Sequence, residues 1–276
     1  MLHYIRPFDP WKSKLCTCPQ KYSFNPYTGC IHNCIYCYAT YIPQFRELRV
    51  KKDLFKILRK DLEKLSKDAI ISMSNSSDPY PPVEKELEIT RRCLEIMRCY
   101  DIRLLIVTKS DIVARDIDLF PEKTAVSITV TCLKTAKIIE PNAPPPEKRI
   151  DALKTLKDCG IPVILRLDPI IPFLTEEEAL KVLEMCEFVD HVVTSTLKLR
   201  RDILSRFSRV LPDLAKIYKN TYVRMGSYMY LPKEIRLKIL KRIEDKCNEL
   251  GISCAFCREG IPFKSKSCDG THLIHS

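Results

Sequence analysis

The chain has few glycines and no long apolar run. Only 6 of its 276 residues are glycine, and no G-x-G-x-x-G stretch follows its early apolar segments, which argues against a Rossmann-type dinucleotide site. No apolar stretch is long enough to cross a bilayer. The N-terminal segment MLHYIRPFDPWKSK also lacks the apolar centre of a secretory signal. We therefore expect a cytoplasmic protein that makes no membrane contact.

Cysteine and positive charge are abundant. Because nothing in the sequence indicates export, its 14 cysteines are better explained as metal ligands and buried apolar side chains than as disulfides. The formal net charge of +11 favours an anionic partner such as a nucleic acid. Two basic segments, KKDLFKILRK and LKLRRDILSRFSR, are either solvated helix faces or contacts for that partner.

The apolar pattern predicts alternating strands and helices. Strands are expected at 21–25, 69–74, 102–108, 124–130, 161–167 and 188–194, and helices at about 51–66, 84–100, 146–159, 175–186, 200–219 and 232–249. Thr175 is the expected N-cap of its helix, because three glutamates follow it in the first turn. Such alternation predicts an α/β protein with a parallel sheet, either a TIM-type barrel or a doubly wound sheet.

Three cysteines lie within eight positions, as GCIHNCIYCYA. Cys30, Cys34 and Cys37 supply three thiolates, which is one fewer than a closed four-ligand metal site requires. A four-iron cluster held by three thiolates keeps one iron open for chemistry. The alternatives are a zinc site with a distant fourth ligand, or plain buried cysteines.

The Cys-x3-Cys-x2-Cys spacing, with Tyr36 before the third cysteine, resembles the signature of the radical S-adenosylmethionine (SAM) superfamily. NPYTGCIHNCIYCYA resembles its spore photoproduct lyase-like branch, and similar motifs follow in the same order: SSDPYPPVE, VTKSD with ARD, VSITV, IEPNAPPPEKR and DPIIP. The resemblance implies a partial (β/α)6 TIM-type barrel at 21–230, between an N-terminal segment 1–20 and a C-terminal extension 231–276. It also implies a 4Fe-4S cluster, S-adenosylmethionine, and an electron donor such as ferredoxin or flavodoxin.

The resemblance further implies a set of cofactor-binding residues: Tyr36, Ser74, Ser76, Asp78, Lys109, Ser127, Thr129 and Arg166. Lys109 would pair with the carboxylate of S-adenosylmethionine. Arg166 would face the cofactor or an anionic substrate, or else pair with Asp168. Glu140 and Asn142 would bind a ribose or simply form a turn.

Two departures from the family pattern stand out. The polar run from Ser74 to Asp78 replaces a glycine-rich stretch that many superfamily members use for the methionine amino group. Asn75 stands at about the place where the true lyases carry a hydrogen-returning cysteine. Reversal of a thymine dimer is therefore disfavoured.

A second cysteine group lies near the C-terminus. Cys254, Cys257 and Cys268, with His272, match either a Cys3His zinc site or a second 4Fe-4S cluster. The fourth ligand of such a cluster would be His272, Cys247, the substrate, or the N-terminal pair Cys16 and Cys18. The isolated cysteines are expected to be buried apolar side chains; they are Cys93, Cys99, Cys132, Cys159 and Cys186.

Three functions are compatible with the sequence. The first is a radical SAM enzyme that modifies or repairs a nucleic acid, and the second is a radical SAM enzyme acting on a peptide, lipid or small metabolite. The third is a non-enzymatic, zinc-dependent nucleic-acid-binding protein. The order of the motifs argues against the third, and the basic charge favours the first.

Overall fold

The computed structural model describes residues 2–8 and 15–274. The strands are β1 (Arg6–Pro7), β2 (Tyr22–Phe24), β3 (Tyr27–Thr28), β4 (Arg49–Val50), β5 (Ala69–Met73), β6 (Ile102–Thr108), β7 (Thr124–Thr129), β8 (Val163–Ile170), β9 (His191–Thr196), β10 (Val223–Met225), β11 (Tyr228–Tyr230) and β12 (Ser253–Phe256). The α-helices are α1 (Leu54–Leu62), α2 (Glu84–Leu87), α3 (Ile89–Met97), α4 (Ala136–Ile139), α5 (Pro146–Asp158), α6 (Glu176–Met185), α7 (Arg201–Val210), α8 (Pro212–Thr221) and α9 (Lys233–Glu249).

Eight strands form one sheet in the order β1-β2-β5-β6-β7-β8-β9-β12. All neighbours from β2 to β12 are parallel, and only β1 pairs antiparallel, with β2. Six of the parallel strands lie in the segment 21–230, which agrees with the expected (β/α)6 unit. The strand β12 from the C-terminal extension continues the same sheet beside β9.

The central strands of the sheet are buried on both faces. Every residue of β7 and β9 is buried, as expected for parallel strands covered by helices. Fully buried side chains such as Ile106, Ile128 and Leu165 each contribute roughly 1.5–3 kcal/mol relative to exposure. No helix in the described part of the chain is long and apolar enough to cross a membrane.

Two predicted helices are each divided in two. The segment predicted at 84–100 breaks at Glu88, which has a φ of 48°, and the segment predicted at 200–219 breaks before Pro212. A residue before proline is disfavoured in the helical region, so Leu211 leaves it. Thr175 does precede α6, but its hydroxyl does not cap that helix. The hydroxyl instead accepts a hydrogen bond from the Ile171 backbone N–H at 2.9 Å.

The prediction that all five isolated cysteines are buried is wrong for two of them. Cys93, Cys132 and Cys186 are buried, whereas Cys99 and Cys159 are exposed. Cys99 and Cys159 follow helices α3 and α5, where the chain turns towards the surface. The helical apolar pattern does not extend to these positions.

Candidate active site

A cavity of about 280 Å³ lies at the carboxyl ends of the parallel strands. This volume is near the lower end of the range for small-molecule pockets. Parallel strands end at the same edge of a sheet, so polar residues that follow different strands meet there. The wall contains the polar residues Ser74–Asp78, Lys109, Thr129, Arg166, Asp168, Ser195, Thr196 and Lys198, together with the cysteines Cys16, Cys18, Cys30, Cys34, Cys37, Cys257 and Cys268.

The loop that carries Cys30, Cys34 and Cys37 has a fixed conformation. Gly29 precedes it with a φ of +88°, and a Cβ atom there would lie 2.2 Å from the Glu47 carbonyl oxygen. The Cys30 N–H donates to the Phe45 carbonyl at 2.7 Å. Glycine is therefore required at this position by both the backbone conformation and the close approach.

The three thiols lie within electrostatic reach of one another. Burial, followed by the nearby Asp78 carboxylate, raises the pKa of Cys30 to about 12, and Cys37 adds to that shift. Burial also raises the pKa of Cys34, while Lys109 opposes the shift and the other two thiols add to it. Metal binding would replace these protons, since thiolates are the form that binds metal.

Arg206 of α7 holds the cysteine loop through hydrogen bonds to its backbone carbonyls. Its guanidinium donates to the Ile35 carbonyl at 2.7 Å and to the Cys37 carbonyl at 2.6 Å. It also donates to the Thr40 hydroxyl at 2.9 Å and pairs with Asp202 at 3.2 Å. Arg206 belongs to the basic segment that the sequence offered as a nucleic-acid contact, but its side chain is buried. It binds the protein's own backbone.

Tyr36 belongs to a buried charge cluster around Glu140. The Tyr36 hydroxyl and the Thr131 hydroxyl both donate to the Glu140 carboxylate, and Arg149 pairs with it at 2.6 Å. Burial alone would raise the pKa of Glu140, but Arg149 and Lys109 outweigh burial and hold it at about 2. The Glu140 side chain is fully buried, and both of its carboxylate oxygens contact these neighbouring groups.

Lys109 and Asp78 form the polar centre of the cavity. The Asp78 carboxylate accepts from the Thr108 hydroxyl at 2.6 Å and from the Lys109 backbone N–H at 2.8 Å, and His32 Nε2 lies 3.2 Å from it. Burial would raise the pKa of Asp78, yet His32 and these hydrogen bonds lower it to about 2. The Lys109 ammonium lies 4.0 Å from Glu140 and 5.4 Å from the centre of the Tyr36 ring.

The run Ser74–Asp78 is organised by Asn25. The Asn25 side-chain oxygen accepts from the backbone N–H groups of Asn75, Ser76 and Ser77 at 3.1–3.5 Å. Ser74 itself has a φ of 75°, and its hydroxyl donates to the Ser77 carbonyl. This chain therefore holds a turn with side-chain hydrogen bonds where many superfamily members use glycine.

The remaining predicted cofactor residues lie on β7 and β8. Thr129 lines the cavity. Ser127, two residues earlier, points to the same side of β7, and its buried hydroxyl has no hydrogen-bond partner in the part of the chain described. Arg166 also lines the cavity, and its guanidinium pairs with Asp168 at 2.7 Å. Arg166 can therefore pair with Asp168 and still face a cofactor or substrate in the cavity.

These features fit an iron-sulfur cluster with a bound organic cofactor. The donor set is three thiols on one wall, and a buried unpartnered hydroxyl and a cavity-lining lysine lie on adjoining strands. Among residues 2–8 and 15–274, no three His, Cys, Asp or Glu side chains are arranged around a single metal ion. A cluster does not need such an arrangement, because each thiolate binds a different iron.

The C-terminal cysteines do not form one group. Cys257 and Cys268 line the cavity, whereas Cys254 lies beside Cys247 of α9. The hydrogen bond with Cys247, together with burial, raises the pKa of Cys254 well above its usual value. His272 contacts the Ser267 hydroxyl at 2.7 Å and packs edge-on against His191. A metal bound by the C-terminal cysteines thus stays a prediction, and the residues that surround these cysteines differ from the expected ligand set.

Sequence reasoning missed three residues of the site. Asn25 precedes the cysteine motif and His32 lies within it, and their positions in FNPYTGCIH were a usable signal. Arg206 carried no such signal, because a buried arginine within a basic helical segment has the same sequence pattern as a solvated one.

The fold and the cavity define an α/β protein whose site lies where parallel strands end and is lined by a three-cysteine loop. The chain belongs to the radical SAM superfamily, whose profile matches residues 24–186. Membership implies a 4Fe-4S cluster and S-adenosylmethionine as cofactors.

Two curated relatives carry the name uncharacterized protein. One from Methanocaldococcus jannaschii is 39% identical over 168 residues, which cover 57% of this chain and 63% of the relative. One from Acidianus two-tailed virus is 31% identical, over 52% of this chain and 54% of the relative. The chain thus spans less than two thirds of the length of these relatives.

Solved structures support the fold. A point mutant of spore photoproduct lyase matches with a TM-score of 0.72 and 14% identity, over 96% of this chain and 80% of that one. A spore photoproduct lyase double mutant with bound S-adenosylmethionine and dinucleoside spore photoproduct matches with a TM-score of 0.67 and 16% identity, over 92% and 80%. A radical SAM methyltransferase from Sphaerobacter thermophilus matches with a TM-score of 0.52 and 13% identity, over 90% and 67%.

Proposed function

We propose that this protein is a radical SAM enzyme that acts on a nucleic acid. The observation that carries the first half of the proposal is the grouping of Cys30, Cys34 and Cys37 on the wall of one cavity, within electrostatic reach of one another. When bound, a cluster with S-adenosylmethionine supplies one-electron cleavage of the sulfonium bond, which yields methionine and a 5'-deoxyadenosyl radical.

The chain's own residues bind and orient the cofactor in this proposal. Lys109 provides a positive charge for the carboxylate, and the hydroxyls of Ser127 and Thr129 provide hydrogen bonds on the adjoining strand. Tyr36, Ser74, Ser76 and Asp78 shape the remainder of the pocket. Charges in this partly enclosed cavity are less screened than in bulk water, so an anionic group bound there gains from a nearby cation.

The substrate half of the proposal is based on the rim. Tyr38 lines the cavity and is 40% exposed. The Arg258 guanidinium also lines the cavity and lies 5.1 Å from the centre of the Tyr228 ring. Aromatic rings stack on nucleobases, and arginines beside them bind phosphates. The solved relative that contains a dinucleoside photoproduct adds support, as does the net charge of +11.

The cofactor half is tested by anaerobic purification, counting of iron and sulfide, and assay for 5'-deoxyadenosine after reduction. We expect Cys34→Ala to lower the iron content by about four per chain and to abolish release of the nucleoside. Cys99→Ala is the matched control, since Cys99 is exposed and remote from the cavity wall. Unchanged iron in Cys34→Ala would contradict the proposal. Colourless protein that contains zinc and no iron would instead support the non-enzymatic alternative.

The substrate half is tested by retention of single-stranded RNA and DNA at low and physiological salt. Binding through phosphates weakens steeply as salt rises. We expect Arg258→Ala to weaken retention, and Lys216→Ala, at an exposed position, to serve as the surface control. Retention that is absent or independent of salt would favour a peptide, lipid or small metabolite. The electron donor, ferredoxin or flavodoxin, and the cytoplasmic location belong to the same proposal.

A further inference from the structure

Residues from the two ends of the chain bring three cysteines together. The Cys268 thiol donates to the Cys18 sulfur at 3.2 Å, across a sequence separation of 250 residues. Cys16 and Cys18 are also hydrogen-bonded to each other. All three line the cavity that contains the Cys30, Cys34 and Cys37 loop.

The surroundings of these thiols differ from those of an apolar core cysteine. Lys21 and Asp269 form a buried ion pair beside them, and the Lys21 ammonium lies within electrostatic reach of Cys18 and Cys268. By contrast, burial is the main cause of the raised pKa of Cys93 and of Cys186. Thiolates beside a cation are the usual state of metal-binding cysteines.

The number of cysteines that line the cavity also matches the needs of a second cluster. Seven cysteines line it, and three of them belong to the loop that the proposed function assigns to the first cluster. Four remain, namely Cys16, Cys18, Cys257 and Cys268, which is the number that a fully ligated cluster takes. Cys254 is not among them, since it lies beside Cys247.

We propose that Cys16, Cys18, Cys257 and Cys268 bind a second iron-sulfur cluster, separate from the site at Cys30, Cys34 and Cys37. The close Cys18–Cys268 contact opens by rotation about the Cα–Cβ bonds when the thiolates bind different irons. The cluster ties the N-terminal segment to the C-terminal segment at the cavity. The ligand set differs from the expected Cys254, Cys257, Cys268 and His272 by replacing Cys254 and His272 with the N-terminal pair.

The experiment uses the full chain with Cys30, Cys34 and Cys37 all replaced by alanine, so that the first site is removed. After anaerobic reconstitution with iron and sulfide, we expect about four irons and four sulfides per chain, with the absorption and reduced-state magnetic resonance spectrum of a cluster. Adding Cys268→Ser should remove at least nine tenths of that iron. Cys254→Ser should leave it unchanged and is the matched control.

Several results would overturn the second cluster. These are an iron-free triple variant, one zinc per chain in place of iron, or a Cys18–Cys268 disulfide found by peptide mapping of the anaerobically purified protein. Because Cys268→Ser could also unfold the chain, Cys18→Ser and circular dichroism accompany it. Iron loss in both variants with unchanged secondary structure supports the site, whereas iron retained in either folded variant counts against it. Failure of the first site is seen separately, as equal iron in the wild type and the triple variant.

Discussion

Substitution of Arg206 tests whether its guanidinium holds the cysteine loop in place. Replacing it by alanine leaves the buried Ile35 carbonyl without the donor that now lies at 2.7 Å. The Cys37 carbonyl loses the guanidinium at 2.6 Å and keeps only the Thr40 hydroxyl at 3.2 Å. A buried acceptor that loses its partner costs about 1–3 kcal/mol, and hydrogen bonds to charged donors are at the upper end of that range. One carbonyl left unpaired and one left with a weaker donor give an expected loss of about 2–4 kcal/mol in the free energy of unfolding.

The measurement is urea unfolding of the metal-free protein under reducing conditions, with iron retention after reconstitution as a second readout. Arg209→Ala is the matched control, because Arg209 lies on the same helix and is exposed. Its effect should stay within about 0.5 kcal/mol. Arg206→Lys should recover only part of the loss, since one ammonium does not reproduce the planar fork of donors. If Arg206→Ala unfolds at the same urea concentration as Arg209→Ala, the guanidinium does not anchor the loop.

Three further predictions follow from buried groups. Burial, with the neighbouring His272, lowers the pKa of His191 to about 4, so the unfolded chain binds more protons than the folded one between pH 4 and about 6.5. The free energy of unfolding should therefore decrease as the pH is lowered through this window. Denaturant unfolding at pH 7.5 and pH 5 should show a smaller decrease for His191→Gln than for the wild type. Gly29→Ala should lower the melting temperature far more than Gly160→Ala, because a Cβ meets a backbone oxygen only at the first site, and equal melting temperatures would refute the close approach. Arg149→Met should destabilise the metal-free protein by about 3–5 kcal/mol, because it removes the direct ion pair of the buried Glu140 and leaves only the Lys109 ammonium at 4.0 Å; a loss under 1 kcal/mol in calorimetry would contradict the ion pair.

The strands could be predicted from the sequence because their signal is local. Runs of β-branched and aliphatic residues place β6 at the predicted bounds 102–108. The strand predicted at 161–167 begins at Val163 and continues to Ile170, since its end is polar and lines the cavity. The break before Pro212 was also readable from the sequence. The break at Glu88 was not, because it depends on a positive φ at a residue that usually continues a helix.

The site was predictable to the extent that its residues are close together in the sequence or follow a strand. The spacing of Cys30, Cys34 and Cys37 identified the loop, and the ends of β5, β6 and β8 identified Asp78, Lys109 and Arg166. The contact between Cys18 and Cys268 depends on 250 residues of intervening fold, and no local pattern specifies it. For Cys254 and Cys257 the spacing predicted a shared metal; the two side chains lie in different surroundings, and the shared metal stays a prediction.

The buried ion pairs also bear on the meaning of the positive charge. Lys21 pairs with Asp269 and Arg149 pairs with Glu140 inside the fold. Each ion pair neutralises one positive and one negative charge. Such pairing leaves the excess of 46 Lys and Arg over 35 Asp and Glu almost unchanged. Since ionised groups are seldom buried unpaired, the excess lies mainly on the surface, where it is available to phosphates. The inward direction of Arg206 therefore removes one residue from the basic segment as a nucleic-acid contact, but it does not remove the electrostatic reason to expect one.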